Sequence, residues 1–329
     1  MVVSPARAQG RRKFRDKTVS RLGHHGAMTS TPQVTTLDVT GPYDLAEVAL
    51  MGFGHREEKH FDGVMRMAFN LDGGYDRTVG VEARQHGGSV ELTVRTPSGA
   101  PALTAAELGR TRSQVARVIS LDQDGEAFDQ LCRADPVLAA VHARAPGFRP
   151  ALFYSPYEAA VWSILSARRA RSQGIGLRTR IAEQYGTSFD LAGIRTSAIP
   201  APTELGVIES FPGLPADRIP RLQAVASAAT RGDLEADRLR ALDPEEAMDE
   251  LQRLPGIGPF YSALIVVRAC GHADALAPGE GHSRQAAGEA YGFDHDLDDA
   301  EFAELAERWR PYRTWVSVML RALAGREPP

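Results

Sequence analysis

Leu254-Pro255-Gly256-Ile257-Gly258 is the stretch of this 329-residue chain best suited to hold a ligand through its backbone. Two glycines around one aliphatic residue form a tight turn, because only residues that tolerate positive φ and close backbone approach fit there. Pro259 suits the first position of a following helix, where its missing N–H has no partner to lose, and Gly271 suits the stop. The turn thus presents the N–H groups of Gly256, Ile257 and Gly258 at a positive helix end, which is a seat for a phosphate. The loop leaving that helix, from Gly271 to His282, places a carboxylate, Glu280, 24 residues after Gly256, and the next helix carries Arg284. Metal chemistry has little footing. His24, His25, His55, His60, His272, His282 and His295 lack the i, i+4 spacing around a Glu that binds zinc, and Glu280-Gly281-His282 is too short a cluster. A phosphate-loop Lys-Ser/Thr signature and a dinucleotide fingerprint are absent too.

Composition narrows the classes further. With 43% hydrophobic residues the chain can bury a substantial core and divide into two or three domains. Its net charge of −4 means that any nucleic-acid surface is a local patch. Two cysteines, Cys132 and Cys270, support neither a disulfide framework nor a thiolate cluster. No apolar run reaches about 18 residues, and the N-terminus lacks the apolar core of a secretory signal, so a cytoplasmic protein is expected.

These residues need elements to position them. Residues 1–33 are rich in Arg and Lys and read as a disordered basic tail. It is the product of a start upstream of a true start at Met28, a non-specific DNA tether, or a transit sequence. Residues 34–121 alternate with period two at 34–39, 64–69, 78–84 and 89–94, separated by Gly73-Gly74 and Gly87-Gly88, with a short helix at 45–51 and a longer one at 102–119. An α+β domain with a small antiparallel sheet follows. Residues 122–329 read as an all-α domain, with the hairpin at about 245–271, the loop at 271–284 and one last helix over 299–323. Trp162, Trp309 and Trp315 fall in apolar helical patterns and are expected in the core.

Four spaced motifs carry a resemblance: Gly41-Pro42-Tyr43-Asp44, Arg144-Ala145-Pro146-Gly147-Phe148-Arg149, Leu254-Pro255-Gly256-Ile257-Gly258, and Ala306-Glu307-Arg308-Trp309-Arg310-Pro311-Tyr312-Arg313-Thr314-Trp315. In this order they resemble the helix-hairpin-helix superfamily of DNA glycosylases, and most of all its bacterial 3-methyladenine DNA glycosylase II (AlkA-like) type. The resemblance covers about residues 34–325. It implies a monomeric, monofunctional DNA glycosylase of base excision repair that flips an alkylated purine out of duplex DNA and hydrolyses its N-glycosidic bond. Damaged double-stranded DNA is the implied partner. No cofactor is implied beyond a monovalent cation at the hairpin.

The resemblance also implies roles for residues. Glu280 stands where the family has its catalytic Asp, and Phe260 where lyase-type relatives have a nucleophilic Lys, which excludes a Schiff base at that residue. Phe260 and Tyr261 line a base pocket, or else form a core pair. Arg168 and Arg169 fall in the loop that fills the gap left by a flipped base, or else form a solvated helix end. Arg221, Arg268 and Arg284 extend a basic face. Met319-Leu320-Arg321-Ala322 stands where a pocket aromatic is implied. Glu280 also reads as a solvated carboxylate near a helix start. The altered residues leave a second class open, a catalytically impaired DNA-damage-binding paralogue, and a third, a structural protein whose hairpin makes protein contacts.

Overall fold

The computed structural model describes residues 31–51, 54, 56 and 60–326, so most of the basic tail lies outside the described residues. Strand β1 (Gln33–Asp38) already takes in the last residue assigned to that tail. With β2 (Met65–Asn70), β3 (Thr78–His86) and β4 (Ser89–Arg95) it forms one antiparallel sheet in the order β1-β4-β3-β2. Because side chains alternate, register decides which set is buried. Met67, Val81 and Val94 are aligned across three strands and bury against Leu45 and Val48 of α1 (Leu45–Leu50) and Val115 and Val118 of α2 (Ala105–Val118). Thr104 and Glu107 close the start of α2 with a reciprocal capping box.

The other face of the sheet is covered as well. A hairpin of β5 (Ser188–Leu191) and β6 (Ile194–Ser197) packs Phe189, Leu191 and Ala198 onto Ala68. A Cβ at Gly80 would lie 2.6 Å from the Phe189 ring, so the missing side chain makes room for this docking. The second half is therefore not all-α. Four-residue strands joined at Ala192 and Gly193, both at positive φ (46° and 77°), give too short an alternation to stand out from a loop.

Helices make up most of the remainder: α3 (Gly125–Ala134), α4 (Pro136–His142), α5 (Pro156–Ser166), α6 (Arg171–Tyr185), α7 (Pro202–Leu205), α8 (Ile219–Thr230), α9 (Ala236–Arg240), α10 (Pro244–Gln252), α11 (Pro259–Ile265), α12 (Gly281–Tyr291), α13 (Asp299–Ala306) and α14 (Arg313–Leu323). Helix α5 is buried on every side, as a helix at the centre of a domain must be, and anchors one cluster with α6, α8 and α11. A second cluster forms around Trp309 and Trp315, from α3, α4 and α12 to α14. Trp162 belongs to the first, so all three tryptophans are buried.

Residues 299–323 form two helices rather than one. Pro311 has no N–H for the ladder and its ring would strike the carbonyl four residues back, so the chain turns between α13 and α14. Asp274, which reads from sequence as a turn residue, receives Arg310 and Arg313 at 2.8 Å each. That carboxylate ties the start of α14 to the loop after α11. Among the described residues, no helix is long and apolar enough to cross a membrane.

Cys132 and Cys270 are both fully buried, and burial pushes both thiols up to about 12. Neither is thiolate at about pH 8, and thiolate is the reactive form. The folded protein is therefore expected to leave a disulfide-exchange thiol reagent unconsumed at that pH, and the denatured chain to consume it at both positions. Rapid native labelling at either cysteine would contradict this burial.

Candidate active-site cleft

The site lies along the seam between the two helical clusters. Helix α10, capped by Asp243, runs into the turn that starts α11. At Gly256 φ is +92°, and a Cβ there would lie 2.9 Å from Arg221 Cδ and Ile164 Cδ1. Ile257 is 4% exposed and plugs the turn into the core, and its N–H donates to Leu254 O at 3.0 Å. The Ile257 amide is thus used within the turn, whereas the N–H groups of Gly256 and Gly258 have no protein acceptor among the described residues.

Helix α11 does not stop at Ile265 but widens into a π turn over Val266–Cys270, closed by Gly271 at φ +82°. Such turns recur at functional sites. The loop that follows delivers Glu280 to the start of α12. Glu280 Oε2 accepts two hydrogen bonds of 2.8 Å, from Ser283 Oγ and from Arg321 Nη1. Oε1 takes none from the protein among the described residues. Glu280 is 16% exposed, so the solvated-carboxylate reading does not describe it. It is held by one edge and open at the other.

Glu280 forms part of the wall of a cleft with a cavity volume of about 180 Å³, mostly apolar in its lining. An apolar cavity of about 150 Å³ is enough for a benzene ring, so this one suits a planar heteroaromatic group. Phe260 from α11 and Phe302 from α13 contribute aromatic faces. Phe260 is 48% exposed, at the mouth. Tyr261 is not brought into this cavity. It meets Phe260 edge-on (5.2 Å, 74°), packs toward α5, and its hydroxyl lies 3.4 Å from Ser166 Oγ.

The two wedge candidates also part company. Arg168, between α5 and α6, is exposed at φ +57° and makes no hydrogen bond to the protein among the described residues. Arg169 folds back toward Leu165 O and Gly213 O (3.4 and 3.5 Å) and lines, with Phe260, Glu280 and His282, an outer groove next to the cavity. The expected basic face is narrower than the sequence suggests. Arg268 is 5% exposed in the cleft wall, donating to Ala151 O at 2.5 Å, and burial together with Arg56 and Arg321 holds its pKa well below the usual guanidinium value. Arg221 is paired with Asp217, and Arg284 with Asp299. Arg321 and Ser283, the two groups that bond Glu280, are polar residues of the cleft that sequence reading did not assign. The available signal was a lone arginine in the apolar run of α14. Among the described residues no cluster of three or more His, Cys, Asp or Glu side chains is arranged to hold a metal ion.

No protein-family model matches the sequence. The chain is 28% identical over 208 residues to the probable bifunctional transcriptional activator/DNA repair enzyme AlkA of Mycobacterium tuberculosis, covering 62% of this chain and 40% of that protein. It is 26% identical over 208 residues to DNA-3-methyladenine glycosylase 2 of Escherichia coli, covering 61% of this chain and 70% of that one. The chain thus spans about 40% of the length of the mycobacterial relative. Among solved structures, the 3-methyladenine DNA glycosylase of Archaeoglobus fulgidus superposes with a TM-score of 0.69 at 18% identity, covering 87% of this chain and 97% of that one. The chain therefore shares the fold of that structure. Within it, the sequence resembles the AlkA-like branch of the helix-hairpin-helix glycosylases.

Proposed function

We propose that this protein is a monofunctional DNA glycosylase that hydrolyses the N-glycosidic bond of an alkylated purine flipped from duplex DNA into the cleft. The observation that carries the reading is Glu280, fixed at Oε2 and open at Oε1, on the wall of a cleft sized for one planar ring. Glycosidic cleavage builds positive charge on the sugar, and a pre-placed carboxylate edge is the group that stabilises it. The bond to the base breaks and its electron pair leaves with the base, cancelling the charge of the alkylpurine; water adds its oxygen to C1′ and releases its spare proton to solvent. Gly256 and Gly258 would seat a phosphate, Phe260 would stack on the base, and Arg168 would enter the gap in the duplex. The test is release of free 3-methyladenine or 7-methylguanine from methylated duplex by the purified protein. No release, with binding to lesion DNA retained, would favour the damage-binding alternative.

Arg168 gives a separate expectation. An exposed arginine with no hydrogen-bond partner among the described residues displaces counterions when it meets DNA phosphate. Arg168→Ala should weaken binding to a lesion duplex and reduce the slope of log affinity against log salt by about 1. An unchanged slope and affinity would place Arg168 outside the interface.

A further inference from the structure

Helix α14 turns one face to the cavity, with Thr314, Ser317, Val318 and Arg321 at i, i+3, i+4 and i+7. The loop that carries Glu280 is attached to that helix at both of its ends. Near its beginning, Arg313 donates to Asp274 Oδ1 through Nε at 2.8 Å and to Asp274 O through Nη2 at 2.7 Å, while Arg310 Nη1 donates to Asp274 Oδ2 at 2.8 Å. Beside them Thr314 Oγ1 accepts from Ala275 N at 3.1 Å and donates to Ala275 O at 2.5 Å, and Thr314 N donates to Ala273 O at 2.9 Å. At the far end Glu280 meets Arg321. The stretch of helix from Thr314 to Arg321 is a fixed length of about 10 Å.

The two attachments differ in stiffness. The side chain of Arg321 is 51% exposed and makes one protein hydrogen bond among the described residues, so it can follow the carboxylate through several rotamers. Arg313 is 16% exposed, and its guanidinium is held from two sides, by Asp274 and by Glu307. The junction at residues 273–275 is therefore the rigid reference from which the rest of the loop places Glu280. Asp274 itself is outside the cavity wall, so a change there does not touch a bound base.

We infer that Asp274 is a positioning residue for Glu280: by clamping the start of the loop to α14, it fixes the distance from the free carboxylate oxygen to the sugar of a flipped nucleotide. The inference rests on the glycosylase reading above. A displacement of about 1 Å at a reacting group costs about 100-fold in rate, so loss of the clamp is felt in the chemical step. The fold survives that loss, because Arg310 and Arg313 both keep Glu307 and no buried charge is left alone.

The experiment compares the wild type with Asp274→Ala, Asp274→Asn, Glu280→Gln and the double variant Asp274→Ala/Glu280→Gln. Three quantities are read: single-turnover release of 7-methylguanine from methylated duplex, affinity for an abasic-site duplex, and hydrogen exchange over residues 273–283. Release should fall about 100-fold in Asp274→Ala and less in Asp274→Asn, which keeps an acceptor oxygen for Arg313. Affinity should stay within a few-fold of the wild type, and exchange in the loop should quicken. Because the clamp acts through Glu280, Asp274→Ala should cost little more in a protein that already carries Glu280→Gln. A full second loss in the double variant would overturn the inference, and so would a fall in affinity as large as the fall in rate. Wild-type release with an unchanged rate in Asp274→Ala would overturn it too, while leaving the glycosylase reading in place. No release by the wild type would remove both.

Discussion

Glu280→Gln should lower single-turnover base release by about 10³-fold while leaving affinity for lesion duplex within a few-fold. Gln keeps the length of the side chain and an oxygen that can accept from Ser283 Oγ, so the loop and the start of α12 need not move. What it removes is the negative charge next to Arg321 and, in the proposed complex, next to the sugar. A unit charge at about 4 Å from a developing cation is worth about 4 kcal/mol at an effective dielectric of about 20, and each 1.4 kcal/mol or so is a factor of ten in rate. Glu280 is mostly shielded from solvent, which keeps that attraction from being screened away. In the proposed complex affinity rests on phosphate contacts elsewhere, at Gly256, Gly258 and Arg168, and should be largely spared. A Gln variant that released base at the wild-type rate would move the catalytic role to another group.

The second large effect is on stability. Arg149→Met is expected to cost about 3 to 5 kcal/mol, read as a lower denaturant midpoint. Arg149 is 1% exposed and its guanidinium donates to Pro42 O and Ser120 O at 3.1 Å each, and to Thr40 O. It also stands over the Tyr43 ring at 5.2 Å. The surrounding backbone is shaped to it: a Cβ on Gly125 would lie 1.8 Å from Nη2. Gly41 and Gly147, both at positive φ, let the neighbouring turns close, and Asp44 N donates to Gly147 O at 3.0 Å. Met has a similar girth but no donors, so three carbonyls lose the buried charged partner that Arg149 supplies, each at about 1 to 3 kcal/mol and least where the carbonyl is partly exposed. Relief from burying the guanidinium offsets part of that sum. A midpoint shift worth less than about 1 kcal/mol would show that this junction does not hold the domains together.

Arg149 also shows what kinds of statement the chain supports before its fold is known. Gly41-Pro42-Tyr43-Asp44 and Arg144 to Arg149 stand out as motifs some 100 positions apart, yet nothing in their order says that one clamps the other. Local rules did reach the strands at 65–95, the helices bounded by Pro and Gly, and the tight turn at Gly256, because period-two alternation, capping residues and positive φ act over a few neighbours. The same rules missed the β5-β6 hairpin, whose strands are stabilised by a sheet more than 100 residues away rather than by their own alternation. They also ran α13 and α14 together, although Pro311 was in plain view.

At the candidate site the division is sharper. Residue types and order alone bring out the Gly-Ile-Gly turn, the carboxylate after it and the aromatic-for-lysine exchange at Phe260, since each is a matter of local backbone or of a single side chain. Packing alone decides that Ile257 spends its amide inside the turn, that Tyr261 turns toward α5, and that Arg268 is buried. It also decides that Arg321, 41 residues beyond Glu280, takes one of its carboxylate oxygens and leaves the other open. Which atoms of a side chain remain unpaired depends on distances between distant segments, and those distances exist only once the chain has folded.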